Sequence, residues 1–256
     1  MGKVVKRLAD KVAIITGGAG SIGKTTAKLF LDNGAKVFLV DLDEDSLKKV
    51  ADDLGSKNIK YAAADVTKSE DVKRYVAEAV NAFGTIDIFF NNAGIEGVVK
   101  PTVGYPEDIF DKVIAVNVKG VFLGNKYVLP KMKDGGSVIL TASVAGITGS
   151  PNVTAYIASK HAVVGMMRNL AIEVAPRKIR VNTINPSPVD NRMMRSLEAG
   201  YNPDDAIGMK KAFENSIPLG RYADPIEIAQ LVQFLASDES KFITGTTQVI
   251  DGGMNA

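Results

Sequence analysis

Four residues in this sequence, Asn117, Ser143, Tyr156 and Lys160, are of types that move protons or hold the groups that do. Tyr156 and Lys160 stand four residues apart in a segment that reads as a helix, and side chains at i and i+4 share a helix face. The phenol and the ammonium therefore point into one site. A tyrosine with a pKa near ~10 is a poor acid–base group at neutral pH. Shifting it by about three units takes ~4 kcal/mol of preferential phenolate stabilisation, and a neighbouring lysine cation contributes to that. Ser143 follows a strand pattern, and Asn117 lies in the helical segment before it. Taken singly, Ser143 reads equally well as a helix cap, Tyr156 as a core aromatic and Asn117 as a buried amide.

A second chemical feature follows the first strand pattern, in Thr16-Gly-Gly-Ala-Gly-Ser-Ile-Gly-Lys-Thr-Thr26. It satisfies G-x-G-x-x-G through Gly18, Gly20 and Gly23, and G-x4-G-K-[ST] through Gly18, Gly23, Lys24 and Thr25. In both patterns glycines allow a tight turn and a close backbone approach, and the helix that follows offers free N–H groups and a partial positive charge to an anion. The ligand is either a dinucleotide pyrophosphate or a nucleoside triphosphate with magnesium. Asp41, at the end of the second strand pattern, favours the dinucleotide, since a carboxylate there accepts hydrogen bonds from a ribose diol. It also fits the acidic residue on the magnesium side of an NTPase, and a solvated turn, among Asp43, Glu44 and Asp45. A 2′-phosphate beside Asp41 would meet like-charge repulsion with no following arginine to offset it, so a bound dinucleotide would be NAD rather than NADP.

The elements that must position these groups alternate along the chain. Strand patterns run over Val12 to Thr16, Lys36 to Asp41, Ile59 to Ala64, Ile86 to Asn91, Ser137 to Thr141, Ile179 to Ile184 and Thr247 to Ile250. Helical patterns begin near Ser21, Glu44, Lys68, Pro106 and Val153, with a last one from Asp224 to Ala236. Strands apolar on both faces and separated by helix-length segments predict a doubly wound α/β fold: a parallel seven-stranded sheet with helices on both faces, a Rossmann-type three-layer sandwich. With no boundary linker, repeat or low-complexity tract, residues 1–256 read as a single dinucleotide-binding and catalytic domain. Only Asn185 to Asn215 lacks strong periodicity, which predicts a substrate loop around 187–215, a lid or mobile segment. In that segment Met193, Met194, Met209 and Tyr201 suit an adaptable apolar pocket, or plain packing. No Arg or Lys is assignable to a charged substrate group, which favours a neutral alcohol or ketone. The Pro106–Met132 and Val153–Ala175 segments carry apolar residues on more than one helical face, among them Phe110, Val113, Phe122, Val163 and Met167. Such helices are buried on both sides, by the monomer core or by a subunit interface, and the latter predicts a homotetramer.

Composition narrows the chemistry. Hydrophobic residues make up 46% and charged residues 23% of the 256 positions, enough apolar material to fold without a staple. The chain has no cysteine and one histidine, His161. Thiolate catalysis, zinc fingers and a His-rich metal site are thereby excluded, and no metal is expected. His161 sits roughly 100° around a helix from Lys160 and reads as structural. The 31 basic and 29 acidic residues are interspersed for a net +2, which argues against nucleic acid as the main partner. No run approaches the ~18 apolar residues of a membrane span. The Met1–Lys6 start lacks a signal-peptide segment, a myristoylation signal fails at Lys6, and the Asn152–Thr154 sequon matters only in a secreted chain. A cytoplasmic location is expected by default.

The loop Thr16–Gly23, Asp65-Val66, Asn91-Asn-Ala-Gly94, Asn117, Ser143, Tyr156-Ile-Ala-Ser-Lys160, Asn185-Pro186 and Asp251-Gly-Gly253 together resemble the short-chain dehydrogenase/reductase family. The resemblance spans the chain and implies an NAD-dependent oxidoreductase of CH–OH groups, of the alcohol dehydrogenase or carbonyl reductase type. It implies that Tyr156 exchanges a proton with the substrate oxygen while Ser143 hydrogen-bonds that oxygen. Lys160 would lower the Tyr156 pKa, together with an oxidised nicotinamide, and hold the nicotinamide ribose; Asn117 would anchor a water leading protons to bulk. For the cofactor, the resemblance implies Gly17, Gly20, Ser21, Ile22 and Gly23 around the pyrophosphate and Asp41 on the ribose. It further implies Asp65 and Val66 beside adenine, Asn92 near the ribose region, Gly94 among the cofactor-binding residues, and the Val189 backbone on the carboxamide. The sequence departs from the family pattern at Ser21, in place of the loop's middle glycine, at Ser187 after Pro186, and at Asn191, where a threonine is usual. Competing readings are a 3-oxoacyl carrier-protein reductase on the same scaffold, a non-catalytic dinucleotide sensor, and a P-loop NTPase, which would leave the Ser, Tyr, Lys and Asn set without a role.

Overall fold

In the computed structural model, which describes residues 6–256, the seven apolar runs form one parallel sheet in the order β3-β2-β1-β4-β5-β6-β7. The strands are β1 (Val12–Thr16), β2 (Lys36–Asp41), β3 (Ile59–Ala63), β4 (Ile86–Asn91), β5 (Met132–Thr141), β6 (Arg180–Pro186) and β7 (Thr247–Ile250). Met1 to Val5, which were read for targeting signals, lie outside the described residues.

Alternation along the strands divides the core into two layers. Ile14, Phe38, Val40, Phe89, Val138 and Leu140 face one side. Ala13, Ile15, Val37, Leu39, Ile88, Phe90 and Ile139 face the other. Both faces need cover, as in sheets whose strands are buried on either side. Helices α1 (Ser21–Asp32), α2 (Glu44–Leu54) and α9 (Pro225–Ala236) cover the second face through Ala27, Phe30, Leu47, Ile228 and Val232. The first face is covered by α3 (Ser69–Phe83), α5 (Val121–Val128) and α6 (Thr154–Glu173), through Val72, Tyr75, Leu123, Val163 and Met167. Local signals set the helix ends. The Asp43 carboxylate accepts from the N–H groups of Asp45 and Ser46 at the start of α2, and Gly55 closes that helix in the left-handed region, the conformation glycine adopts without a Cβ penalty. Asp224 and Glu227 form a capping box around Pro225 at the start of α9.

Three expectations need correction. The Pro106–Met132 segment is not one helix: α4 (Glu107–Ile114) passes through a π-helical stretch, Ala115–Gly120, into α5 and a 3-10 turn, Leu129–Lys131. Strand β5 begins at Met132, ahead of Ser137, because its pairing with β4 shifts register between Ile86 and Ile88 and takes up the Gly135-Gly136 segment. The 187–215 segment is no irregular loop. It folds into α7 (Arg192–Tyr201) and α8 (Ala206–Asn215), with Asn191 capping the Met194 N–H and Asp205 the Gly208 N–H. Their buried side is a small separate cluster of Met194, Ile217 and Tyr222 backed by Leu197, Phe213 and Met254, too short a stripe to register as periodicity. Among the described residues no helix is long and apolar enough to cross a membrane.

Most apolar residues of the two many-faced helical segments belong to the monomer core, including Val113, Val121, Val163 and Met167. Phe110 and Phe122 remain exposed on α4 and α5.

Candidate active site

Strand order reverses between β1 and β4, which leaves a crevice at the carboxyl ends of the strands, where open α/β sheets bind ligands. A cleft of about 980 Å³ lies there, lined by residues from the glycine loop, β2, β5, α6 and α7.

One end of the cleft is built of backbone. Gly17 has φ +65° and no room for a side chain, since a Cβ would stand 2.9 Å from Asn92 Nδ2 and 3.1 Å from the Ala93 Cα. At Gly23 a Cβ would overlap the Gly17 carbonyl oxygen. The loop thus folds tightly against the first turn of α1, whose N–H groups have no carbonyl four residues back. Gly20 is the N-cap, without a side chain to occupy those donors. Ser21 and Ile22 line the cleft beside it, so the loop keeps its turn without a glycine at position 21. The Asp41 carboxylate accepts from the Ala19 N–H at 3.0 Å and the Leu42 N–H at 2.8 Å and faces the same space. An anion cradle next to an oriented carboxylate fits a dinucleotide's pyrophosphate and ribose.

Asp65 and Val66 line the wall beyond β3. Burial resists ionisation of Asp65, but hydrogen bonds from the Thr67 hydroxyl and N–H, with Lys68 nearby, hold its carboxyl below the usual range. Gly120 permits Val66 to pack there, since a Cβ would stand 2.9 Å from Val66 Cγ2. Asn92 faces the cleft but its amide knits the strand ends together: Nδ2 donates to the Thr16 carbonyl at 3.1 Å, and Oδ1 accepts from Thr141 Oγ1 at 3.0 Å. Val189 is held by a parallel bridge to Ala223. Asn191 uses its side chain to cap α7, accepting from the Met194 N–H at 3.1 Å. Ser187 donates its N–H to the Ile250 carbonyl at 3.2 Å.

The four proton-handling candidates converge at the centre. Ser143 follows β5; its Oγ donates to the Pro186 carbonyl at 3.3 Å, and its own carbonyl accepts from Asn185 Nδ2 at 2.6 Å. Tyr156 and Lys160 project from α6, with the ammonium 5.4 Å from the centre of the phenol ring. Lys160 Nζ donates to the Thr141 carbonyl at 2.8 Å, and burial pushes its pKa down to about 8. Burial pushes the Tyr156 phenol up to about 12, against a lowering hydrogen bond with Ser143, and the Glu96 carboxylate raises it further. Desolvation of the phenolate outweighs the lowering influence on Tyr156, and the expected lowering is one that Lys160 and an oxidised nicotinamide exert together.

Asn117 sits in the π-helical stretch. Its Oδ1 accepts from the Ile95 N–H at 2.9 Å, and its Nδ2 donates to the Ile95 carbonyl at 2.9 Å and to Ser159 Oγ at 3.0 Å. Ser159 in turn donates to the Tyr156 carbonyl at 2.8 Å. Both amide hydrogens are engaged by protein, so a water at Asn117 has only Oδ1 to donate to. Gly94 fits between, where a Cβ would lie 3.3 Å from Asn117 Oδ1 and 3.4 Å from Lys160 Nζ.

The other end of the cleft is apolar. Met193, Met194 and Tyr201 line it as expected, joined by Leu197, Phe213 and Met254, which the sequence reading did not single out. Met209 is not among the lining residues. His161 is exposed, its Nδ1 within 3.0 Å of the Ile157 carbonyl one turn back. Two residues not anticipated are Glu96 and Arg192. They pair at 2.9 and 3.1 Å, so the arginine at this wall is already matched. Neither belongs to a motif, and only the fold brings them together.

Residues 17–255 match a family model described as enoyl-(acyl carrier protein) reductase. The chain is 39% identical to levodione reductase of Leifsonia aquatica over 98% of this chain and 96% of that one. A crystal structure of levodione reductase superposes with a TM-score of 0.93, covering 96% of this chain and 98% of that one. A 3-oxoacyl-(acyl-carrier-protein) reductase of Thermotoga maritima is 41% identical, with 97% of this chain and 99% of that one covered. The crystal structure of an NAD+-bound xylitol dehydrogenase gives a TM-score of 0.91 at 34% identity, covering 96% of this chain and 100% of that one.

Proposed function

This chain belongs to the short-chain dehydrogenase/reductase family of oxidoreductases, and we propose that it uses NAD(H) to interconvert a neutral secondary alcohol and a ketone. The observation that carries this reading is the meeting of Ser143, Tyr156 and Lys160 beside the glycine cradle and Asp41 in one cleft. NAD as cofactor is supported by the carboxylate of Asp41 and by the NAD+-bound xylitol dehydrogenase.

The backbone of Gly17, Gly20, Ser21, Ile22 and Gly23 would hold the pyrophosphate, Asp41 the ribose diol, and Asp65 and Val66 the adenine. Asn92, Gly94, Lys160 and Val189 would line the nicotinamide half. When bound, the nicotinamide supplies the hydride acceptor for oxidation or the donor for reduction. The Tyr156 phenolate takes a proton from the substrate hydroxyl in oxidation, and the Tyr156 phenol gives one to the carbonyl oxygen in reduction, while Ser143 donates a hydrogen bond to that oxygen. Lys160 together with an oxidised nicotinamide would favour the phenolate, and Asn117 holds the Ile95 segment against α6 and offers its free Oδ1 lone pair to a water on the proton path. Catalysis then rests on positioning and polarisation. Met193, Met194, Leu197 and Phe213 provide an apolar wall, and the Glu96–Arg192 pair leaves no free arginine there for an anionic group.

The Thermotoga relative keeps a 3-oxoacyl thioester as the second reading. The exposed Phe110 and Phe122 support a subunit interface on α4 and α5 and with it a homotetramer. The test is NAD(H)-linked turnover across polyols, diols, hydroxysteroids, sugars and β-ketoesters, with an acyl carrier thioester in parallel. Turnover of an uncharged alcohol or ketone supports the first reading. Turnover of the thioester alone replaces it with the second, and no turnover of any of them refutes both.

A further inference from the structure

The cofactor and proton-handling residues leave Asp251-Gly-Gly253, after β7, without a role. In the structure this motif builds a fixed turn. The Asp251 carboxylate accepts from the Gly253 N–H at 3.0 Å and from the N–H and side-chain amide of Asn255 at 2.9 and 2.8 Å. Gly252 and Gly253 have φ of +62° and +90°, a region that a Cβ makes costly. Gly252 is also required by space: its carbonyl accepts from the Leu219 N–H at 3.1 Å, and a Cβ there would stand 2.7 Å from Ile217 Cγ2.

What the turn delivers is Met254, which packs on the cluster of Met194, Ile217 and Tyr222 and lines the cleft. Met194 and Leu197 of α7, Phe213 of α8 and Met254 thus come from three parts of the chain to one apolar wall. Within that cluster the one hydroxyl, on Tyr222, donates to Glu198 at 2.9 Å. Tyr201 extends the wall, its ring edge-on to Phe213 with centroids 5.5 Å apart. Among the polar side chains of the same cleft, Tyr201 donates to the Pro151 carbonyl at 2.7 Å, Thr148 donates to the Val144 carbonyl at 2.9 Å, and Arg192 pairs with Glu96. A hydroxyl set against this wall loses its water and gains no partner, which disfavours it relative to a methyl group of the same size.

We propose that Met254 is a specificity-determining residue, and that the wall it completes selects a ketone or alcohol with an apolar body, bearing no hydroxyl beyond the reacting one, over a sugar or polyol. The inference rests on the reading of this cleft as the site of an alcohol–ketone reaction and narrows its substrate class. The flexible thioethers of Met194 and Met254 adapt to the outline of a ring or a chain, so the wall discriminates by polarity more than by exact shape. Between a methyl and a hydroxyl at the same position the expected factor is about 10–100, the range a hydrophobic pocket reaches against a hydroxyl isostere.

The test compares two ring ketones of equal size, 4-methylcyclohexanone and 4-hydroxycyclohexanone, with the corresponding 3-substituted pair. NADH-dependent reduction gives kcat/KM, and binding to Tyr156→Phe loaded with NADH, followed by NADH fluorescence, reads the same preference without chemistry. The methyl member of each pair should be favoured by about 10–100-fold in both readouts. Met254→Gln, of nearly the same length, sets an amide on the wall and should bring the two members within about threefold of one another, whereas Met254→Leu keeps the preference. Met254→Ala, which changes size and adds no polar group, should raise 4-propylcyclohexanone over 4-methylcyclohexanone by about tenfold relative to wild type. Equal use of methyl and hydroxyl ketones, a preference for the hydroxyl, or binding of neither overturns the inference. A preference that neither Met254→Gln nor Met254→Ala moves, or that Met254→Leu also abolishes, overturns the role of Met254. If the binding preference appears as stated but the wild type reduces none of these ketones, the reaction assigned to the cleft fails while the selection by its wall stands.

Discussion

The Lys160 ammonium lies 5.4 Å from the centre of the Tyr156 ring, yet it gives its hydrogen bond, at 2.8 Å, to the Thr141 carbonyl. Burial dominates both groups, lowering the lysine to about 8 and raising the tyrosine to about 12. An unfolded lysine titrates near ~10.4, so between about pH 8 and that value the unfolded chain binds more protons at this residue than the folded one. Stability from Lys160 therefore rises with pH across that window. Tyr156 has the opposite sign, because its folded pKa exceeds the unfolded value near ~10, and it removes stability only above about pH 10. Denaturation midpoints of wild type and Lys160→Met should diverge in favour of wild type as the pH is raised from about 8 to about 10. A difference that stays constant over this range contradicts the burial of a titrating ammonium.

The glycine loop gives a prediction that does not depend on the reaction. A methyl group at position 23 overlaps the Gly17 carbonyl, so Gly23→Ala must push the loop away from α1. A destabilisation of about 1–3 kcal/mol is expected, as for other overpacked sites, together with weaker NADH binding. Urea denaturation and a fluorescence titration of NADH measure the two. A variant with unchanged stability would show that the loop can shift freely.

This loop was legible in the sequence because glycine leaves a residue-level mark where backbone meets backbone. The seven strands were legible for a similar reason, since burial on two faces makes an uninterrupted apolar run. Tyr156 and Lys160 could be joined by helix periodicity alone. By contrast, Glu96 and Arg192 are 96 positions apart, and nothing local marks either one. Helices α7 and α8 were hidden because their apolar side is small and separate from the main core. Their caps, Asn191 and Asp205, were the available signals. The break between α4 and α5 was also hidden, since a π-helical turn keeps helix-forming residues and changes only the register.

Asp41 should decide between the two nicotinamide cofactors. Its carboxylate is already oriented by the Ala19 and Leu42 N–H groups. Asp41→Ala removes the acceptor for the ribose hydroxyls and the charge that repels a 2′-phosphate. Each charged hydrogen bond lost is worth about 1.5–3 kcal/mol, so NADH affinity should fall by about ten- to a hundredfold. NADPH should be affected little or bind better. Parallel calorimetric titrations measure this, and an equal loss for both cofactors contradicts the assignment.

The account turns on the phenolic oxygen of Tyr156 as the group that exchanges the substrate's proton. The direct measurement is steady-state turnover of Tyr156→Phe beside its affinity for NADH. The phenylalanine variant should keep the fold and bind NADH within about twofold of wild type, while kcat falls by about 10²–10⁴-fold, the usual contribution of a positioned acid–base group. Turnover at the wild-type rate in that variant would contradict the account.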